Sequence, residues 1–332
     1  MAVIVENSLI NRESWGGLVQ ESSVATWFQT PQAYDFFDGL PFLEAFAVAV
    51  AEDGHVKGVV VGYVQKDGGN LKQFFSRRAI IIGGPLLSDL ISDEELARLL
   101  AALKTKLKKK AIFIETRNLH DYSHWRCVFE QAGFAYEPHL NFQVDCSSKE
   151  IVWKNLKENR RRQIKKALAA GVRIEEAFSE EEVLKFYGLL ADLYRKKVKT
   201  PLFPAEFYLE FYRKGYGKYL VVKDNDEIIG GIMCPVLDGK TIYELFVCGN
   251  DAQYKNKYPS VMATWAAIDY ALANHIERFD FMGAGKPDEA YGVREFKSKF
   301  GGDLVEQGRY CCVCKPILYA IGKLGVKILK KI

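Results

Sequence analysis

Glycine and lysine residues that resemble a phosphate-binding loop lie near the C-terminal end, in RFDFMGAGKPDEAYGVREFKSKFGGD (residues 278–303). A Walker A loop has the pattern G-x-x-x-x-G-K-[ST], whose backbone N–H groups surround phosphate oxygens. Here Gly285 and Lys286 match the end of that pattern, but Asp280 occupies the first glycine position and Pro287 follows the lysine. The segment therefore does not encode a Walker A loop.

The remaining glycines and one lysine of this segment are still candidates for a binding site. Gly283 and Gly285 follow a predicted strand, where glycines either let a ligand approach the backbone or form a plain turn; the sequence leaves both open. Lys297 lies on a short predicted helix between Arg294 and Lys299. A lysine beside a strand end can stabilise an oxyanion or bind an anionic group. On pattern alone, a solvent-exposed lysine is the favoured reading.

Cysteine and histidine residues predict neither a metal centre nor a nucleophile. The chain contains seven cysteines and no recognisable export signal, which fits a reducing cytoplasm. Cys311 and Cys314 are predicted to be buried structural thiols. His120 and His124 have helical spacing but no third ligand, so we predict no metal site. No G-x-S-x-G motif is present, so the sequence gives no support for a protein nucleophile.

Composition predicts a folded chain with a large core. Of its 332 residues, 48% are hydrophobic and 13% aromatic, and the net charge is only +4. Basic residues nevertheless cluster at 104–110, at 154–166 and at the C-terminus. Such runs are usually solvated helix faces, and an anionic partner is the alternative. No stretch of about 20 apolar residues predicts a membrane span, and the N-terminus does not resemble a signal peptide.

The elements that must position these residues follow the same plan twice. Each half reads as a strand meander, a helix, a strand, a second helix and a closing strand, which predicts an α/β (α+β) fold of two tandem domains with mixed sheets flanked by helices. Ser92 with Glu95, and Ser179 with Glu182, predict capping boxes at the start of two corresponding helices. The closing strands are predicted at LNFQVD in the first half and LVEQGRYCCVC in the second.

These patterns predict three segments. The first domain spans 1–148, the second spans 149–315 with a basic helix over 150–170 at its start, and a C-terminal helix spans 316–332. We expect that last helix to pack against the first domain, although its basic amphipathic pattern also suits a membrane surface.

The meander of the second half, the helix that follows Pro259-Ser260, and the next strand resemble the GNAT class of acyltransferases. In that class a glycine-containing loop binds the pyrophosphate of CoA at a helix N-terminus. The corresponding segment here reads GNDAQYKNKYPSV and lacks the Q/R-x-x-G-x-G/A pattern.

The ordered set of segments over nearly the whole chain resembles the FemABX family, which carries two GNAT-like domains in tandem. The segments are TWFQTPQAYDFF, SRRAIIIGGPLL, WKNLKENRRRQIKKALAAGVRI and FDFMGAG with REFKSKFGG. The resemblance implies transfer of an aminoacyl group from aminoacyl-tRNA, the donor substrate, to an amine of a lipid-linked or nucleotide-linked envelope precursor. It implies no bound cofactor. It also implies a cytoplasmic location, with peripheral contact at the inner membrane surface as a further option.

The resemblance also suggests roles for particular residues. Lys297 corresponds to a lysine that stabilises the tetrahedral oxyanion, and Phe296 to its aromatic neighbour in the substrate site. Tyr243, Gly283 and Gly285 are suggested as further substrate-binding residues. Arg195 and Lys199 lie where the family places a basic residue against a substrate phosphate.

Two other functions stay open at this point. The first is a GNAT-type N-acyltransferase that uses acyl-CoA on an envelope sugar or exopolysaccharide precursor. The second is a non-catalytic member of the fold that binds an envelope precursor or another protein.

Overall fold

The computed structural model describes the backbone of residues 2–65 and 76–329 and the side chains up to residue 323. The chain forms two compact units. One comprises the residues up to Pro138 together with those from Glu306 onward, and the other comprises His139–Val305.

The first unit contains a mixed eight-stranded sheet in the order β1-β2-β3-β4-β6-β16-β7, with β5 paired to β3. Its strands are β1 (Val3–Glu6), β2 (Leu43–Glu52), β3 (His55–Gln65), β4 (Arg78–Gly83), β5 (Leu86–Leu87), β6 (Phe113–Asn118), β7 (Ala135–Glu137) and β16 (Arg309–Val313). Its helices are α1 (Arg12–Glu21), α2 (Pro31–Asp38), α3 (Asp93–Leu107), α4 (Arg126–Gln131) and α11 (Pro316–Leu329). Only β4 and β6 pair in parallel among its described strands.

The second unit contains another mixed eight-stranded sheet, in the order β15-β8-β14-β12-β11-β10-β9, with β13 paired to β11. Its strands are β8 (Leu140–Asp145), β9 (Val172–Glu176), β10 (Gly217–Asp224), β11 (Glu227–Leu237), β12 (Thr241–Tyr243), β13 (Phe246–Gly249), β14 (Arg278–Asp280) and β15 (Asp303–Glu306). Its helices are α5 (Lys149–Asn155), α6 (Glu158–Ala169), α7 (Glu180–Leu193), α8 (Ala205–Arg213), α9 (Pro259–Ala273) and α10 (Gly292–Ser298). A π-helical turn, Tyr194–Val198, continues α7.

The two units exchange their closing strands. The strand predicted to close the first half, β8, pairs with β14 of the second sheet. The segment predicted as one closing strand of the second half, LVEQGRYCCVC, instead forms two strands. β15 stays in the second sheet beside β8, whereas β16 pairs with β6 and β7 of the first sheet. The sequence-based boundaries at 148/149 and 315/316 thus each fall one strand past the change of unit at 138/139 and 305/306. The strand pattern is local, whereas the choice of partner strand depends on residues far away in the chain.

Helix starts follow the local signals that predict them. The Ser92 hydroxyl accepts from the Glu95 N–H (3.2 Å), and the Glu95 carboxylate accepts from the Ser92 N–H (2.8 Å), which confirms that capping box. Ser179 likewise accepts from the Glu182 N–H, but the Glu182 carboxylate bonds the Phe178 N–H instead of completing the box. Both serines satisfy a backbone donor that the helix itself leaves unpaired.

The C-terminal helix contacts the first unit through an aromatic side chain. The ring of Tyr319 lies 5.3 Å from that of Phe113, and its hydroxyl is 3.8 Å from the Cys311 sulfur. Residues 330–332, the end of the predicted helix, lie outside the described residues.

Within the described ranges, no helix is long and apolar enough to cross a bilayer. Across the same residues, no group of three or more potential metal-binding side chains is found. The cysteines are free thiols, with Cys311 buried and Cys314 partly buried.

Candidate active site

Two neighbouring strands of the second sheet run parallel and then separate. β12 and β14 pair from Thr241 opposite Arg278 to Tyr243 opposite Asp280. A last hydrogen bond follows, from the Glu244 N–H to the Asp280 carbonyl (2.9 Å). Beyond this point the segments that follow β12 and β14 form hydrogen bonds with different neighbouring strands.

The separation opens a gap between β13 and the segment 281–285. On one side, the Leu245 N–H donates to the Met233 carbonyl of β11 (3.1 Å), and β13 continues along β11. On the other side, the Phe281 N–H donates to the Phe142 carbonyl of β8 (3.1 Å). Backbone groups that border such a gap are not paired across it, so the gap is a natural place for a ligand.

Lys297 reaches across this gap from α10. Its Nζ donates to the carbonyls of Phe281 (2.7 Å) and Gly283 (2.9 Å), and lies 3.0 Å from the Glu244 Oε1. The Lys297 and Glu244 side chains are only 11% and 3% exposed. An ammonium has three N–H donors, and here each has an acceptor. Lys297 is therefore a buried cation, contrary to the solvent-exposed position that the residue pattern alone favours.

Glu244 is the charged partner of this lysine. Its second carboxylate oxygen accepts from the Thr264 hydroxyl of α9 (3.2 Å). Burial raises the pKa of Glu244, and the neighbouring Lys297 and Thr264 offset only part of that rise. Lys297 of α10, Glu244 just after β12 and Thr264 of α9 are thus linked to one another.

A second buried acid, Asp280, fixes the turn that follows β14. Its carboxylate accepts from the side-chain amides of Asn141 and Gln143 (2.9 Å each) and from the Met282 N–H (2.7 Å). The Asn141 side-chain oxygen in turn accepts from the Gly283 N–H (2.7 Å). Burial raises the pKa of Asp280, and these donors oppose the rise. The carbonyl of Gly283 that binds Lys297 is thus held in place by β8.

Arg160 of α6 supports α10 from its other side. Its guanidinium donates to the Phe296 carbonyl (3.0 Å) and lies 4.4 and 4.5 Å from the ring centroids of Phe296 and Phe300. The Lys157 N–H donates to the Lys299 carbonyl (3.0 Å). Burial lowers the pKa of Arg160 to about 10. The start of α6 therefore determines the position of the helix that carries Lys297.

The predicted substrate-binding residues beside Lys297 have unequal surroundings. Phe296 is half-buried under Arg160. A Cβ at Gly283, whose φ is +130°, would meet nothing closer than His139 at 3.8 Å, so space remains there. A Cβ at Gly285 would lie 2.9 Å from the Tyr291 ring. The Tyr291 ring and the left-handed backbone, with a φ of +79°, both favour glycine at position 285.

The remaining predicted substrate-binding residues are Tyr243, Arg195 and Lys199. Tyr243 is only 2% exposed on β12. Arg195 is 72% exposed and pairs with Asp192 (2.6 Å), while Lys199 is exposed with a φ of +56°. Arg195 is the second residue of the π-helical turn, and Lys199 follows the turn. The Tyr194 ring of this turn lies 6.4 Å from the Phe246 ring of β13, so the turn lies beside the strand that borders the gap.

Sequence reasoning missed Glu244, Asp280, Asn141 and Arg160. A usable signal existed for the two acids, since each interrupts an apolar strand pattern, in TIYELFV and RFDFM. A buried acid is costly unless it is paired, so an acid in such a run indicates a partner. Asn141 and Arg160 carried no comparable signal.

The N-terminus of α9 is already capped by an acid. The Asp251 carboxylate accepts from the Ser260 N–H (3.2 Å) and from the Ser260 hydroxyl. This helix begins at the end of GNDAQYKNKYPSV, the segment that corresponds to the pyrophosphate-binding loop of the GNAT class. A carboxylate there occupies a donor that a phosphate would use and repels its charge.

Comparison with solved structures identifies the architecture. A crystal structure of FemX superposes with a TM-score of 0.71 at 15% identity, over 96% of this chain and 99% of that chain. The chain has a tandem GNAT-like fold. L-PGS from Bacillus licheniformis shares it with a TM-score of 0.57 at 14% identity, over 95% and 97% of the two chains. So does a tandem GNAT protein from the clavulanic acid biosynthesis pathway, with a TM-score of 0.56 at 11% identity, over 95% and 99%.

Sequence comparison supports the GNAT-like assignment of the second unit. Residues 154–298 match the family model described as an acetyltransferase (GNAT) domain. This range contains the strand separation, Glu244 and Lys297. No curated protein matches the sequence.

Proposed function

We propose that this tandem GNAT-like protein transfers an aminoacyl group from aminoacyl-tRNA to an amine of a cell-envelope precursor, lipid-linked or nucleotide-linked. The reaction would take place in the gap between β13 and 281–285. The observation that carries this proposal is the buried Lys297, which spans the gap beside open space at Gly283.

The chemistry needs positioning and charge stabilisation but no enzyme nucleophile, because the donor ester is already activated. The acceptor amine attacks the ester carbonyl, and the C–N bond forms as the oxyanion develops. Lys297 would donate to that oxyanion in place of one of its two carbonyl acceptors. The C–O bond to the ribose then breaks, and the proton lost by the amine ends on the ribose hydroxyl.

Glu244 holds the ammonium of Lys297 at the gap. Its Oε1 lies 3.0 Å from the Lys297 Nζ, and its other carboxylate oxygen accepts from the Thr264 hydroxyl. The ion pair therefore fixes where the positive charge is presented to the developing oxyanion. Glu244 therefore acts as a positioning residue through Lys297.

The capped N-terminus of α9 favours this donor over acyl-CoA. Asp251 occupies the helix end where a CoA pyrophosphate would bind, whereas an aminoacyl ester at the end of an RNA does not need that site. The match of residues 154–298 to a GNAT acetyltransferase model supports acyl-CoA as the second candidate donor, with an envelope sugar or exopolysaccharide precursor as acceptor.

The test is a transfer assay with two donors. Purified protein is incubated with a set of radiolabelled aminoacyl-tRNAs, or with acetyl-CoA, and with muropeptide and lipid-linked precursors. We expect label from the tRNA ester to appear in an amide of the precursor. Transfer from acetyl-CoA alone would select the second candidate, and transfer from neither donor, with the precursor still bound, would select a non-catalytic binding protein.

Lys297→Met tests the catalytic role, with Lys299→Met as the matched control. Lys299 is the residue that directly follows α10, and its Nζ pairs with exposed Glu295. Lys297→Met should abolish transfer and also destabilise the fold by about 3–5 kcal/mol, since it leaves Glu244 buried and unpaired. Lys299→Met should keep activity and stability close to those of the parent.

The double variant Glu244→Gln/Lys297→Met separates catalysis from folding. It removes both charges of the buried pair, so stability should return toward that of the parent. If Lys297 stabilises the oxyanion, the double variant folds but stays inactive. Recovery of transfer together with stability would show that Lys297 is only structural.

A further inference from the structure

A groove of about 700 Å³ on the surface of the second unit is lined by basic side chains around an aromatic ring. The lining includes Trp153 and four cations of α6, which we call the α6 basic face: Arg161, Arg162, Lys165 and Lys166. One acid, Glu158, is also present, so the groove is strongly positive.

The cations of the α6 basic face have no carboxylate partners among the described residues. Other exposed arginines of this unit do: Arg173 pairs with Glu175, and Arg213 with Glu180. Arg161 donates only to the Trp153 carbonyl (3.2 Å), and the Lys165 Nζ lies 5.5 Å from the centroid of the Trp153 ring. Unpaired cations at this density repel one another, so an anionic ligand would relieve that repulsion.

The α6 basic face lies one helix away from the candidate active site. Arg160 of α6 donates to the Phe296 carbonyl, and the N–H of Lys157, the residue before α6, donates to the Lys299 carbonyl. Lys297 lies between Phe296 and Lys299 in the chain. A polyanion bound on the outer side of α6 would therefore have its nearest end close to the gap.

The exposed side chains of α6 suit phosphates better than a lipid surface. A helix that lies on a membrane inserts an apolar face. Here Trp153 is half-buried and packs edge-on against Trp265 (5.8 Å), so it does not protrude as an anchor. Leu168, 49% exposed, is the one large apolar side chain that α6 exposes. Four cations spread over a shallow groove match a row of phosphates on a nucleic-acid backbone.

We propose that the α6 basic face binds the phosphate backbone of the RNA that carries the donor ester, next to its aminoacylated end. This rests on the proposed function, which supplies an RNA donor. Charge contacts of this kind set affinity and salt dependence but leave the chemical step unchanged.

The experiment measures binding of deacylated tRNA, labelled with fluorescein at its 5′ end, by fluorescence anisotropy over a range of salt concentrations. The variant is Arg162→Gln/Lys166→Gln. The matched control, Lys108→Gln/Lys109→Gln, removes the same charge from exposed positions just after α3 in the first unit. All four side chains are exposed, so thermal unfolding should be unchanged in both variants.

We expect the variant to bind tRNA about tenfold more weakly in low salt and to lower the slope of log affinity against log salt by about two, roughly one per lost contact. The KM for aminoacyl-tRNA should rise while kcat stays the same, and the control should match the parent. Sedimentation with vesicles of phosphatidylglycerol and phosphatidylcholine should not differ between parent and variant.

Three results would overturn the proposal, in distinguishable ways. If the parent binds tRNA and transfers from it while the variant is equal in affinity and slope, the docking surface is wrong and the proposed function stands. If the variant loses vesicle binding but keeps tRNA binding, the surface binds lipid. If the parent does not bind tRNA at all, the RNA donor and its docking surface both fail.

Discussion

At the scale of single residues, the candidate site depends on a buried ion pair. Removing Lys297 and Glu244 from water costs several kcal/mol per ion, and this cost is offset only because each charge has further hydrogen bonds. Lys297 has two carbonyl acceptors and Glu244 has the Thr264 hydroxyl. Such a pair fixes a geometry more than it adds stability, which suits a residue that must present a charge to a reaction.

The raised pKa of Glu244 predicts a specific pH dependence of folding. Because burial raises it in the folded chain, the folded state binds this proton more tightly than the unfolded state. The stabilisation is present below the ordinary glutamate value of about 4.3 and is lost as pH rises through the raised value. The free energy of unfolding of the parent, relative to Glu244→Gln, should therefore fall as pH rises across that window.

Urea unfolding of both proteins at intervals from about pH 4.5 to 8 measures this difference, with the window starting near the ordinary carboxyl value. Glu295→Gln is the control, because Glu295 is 76% exposed in its pair with Lys299. A constant difference between parent and Glu244→Gln across the whole range would contradict the prediction.

At the scale of elements, α10 is held by contacts at its end. Gly301, with a φ of +80°, follows the helix, and a Cβ there would lie 2.2 Å from the Asn155 carbonyl oxygen at the end of α5. Arg160 of α6 bonds to the Phe296 carbonyl of α10, and Lys157, just before α6, bonds to the Lys299 carbonyl at the end of α10. The position of Lys297 therefore depends on α5 and α6 as much as on its own helix.

Gly301→Ala should separate α10 from α5. The new methyl group would overlap the backbone of Asn155, and the left-handed conformation adds strain, so we expect more than about 2 kcal/mol of destabilisation and reduced transfer. Gly292→Ala, at the other end of α10, is the control, because its Cβ would meet no atom within 4 Å. Thermal unfolding and the transfer assay measure both variants. Equal melting temperatures would rule out the close contact at Gly301.

At the scale of the whole molecule, each sheet is completed by a strand from a distant part of the chain. β16 lies between β6 and β7, and β8 lies between β14 and β15. β8 also supplies Asn141 and Gln143, the amides that pair with buried Asp280. A boundary placed by the repeated sequence plan would cut the second unit away from this strand.

This exchange predicts which fragment folds. A chain of residues 139–305 should unfold cooperatively, because it keeps β8 and the partners of Asp280. A chain of residues 149–305 lacks β8 and with it the side-chain amides of Asn141 and Gln143 that bond the buried Asp280 carboxylate. We therefore expect it to show no cooperative transition. Circular dichroism during heating compares the two. Cooperative unfolding of the shorter fragment would show that β8 is dispensable.

The local elements and the general architecture could be predicted from the sequence. Capping residues, hydrophobic periodicity and the repeated order of elements depend on neighbours in the chain, and they predicted helix starts such as Ser92 and two α/β domains. The ordered resemblance led to Lys297, which residue pattern alone placed in solvent, and the tandem GNAT-like fold confirms the architecture it implied.

Long-range packing sets which strands complete each sheet and what Lys297 contacts, and neither could be predicted from the sequence. Strands 140–145 and 309–313 each pair with residues more than 100 positions away in the chain. Glu244 and Asp280 become a site only because two parallel strands separate beside them. Burial, and hence the raised pKa of both acids, is a property of packing across the whole unit and is not written in any short stretch of sequence.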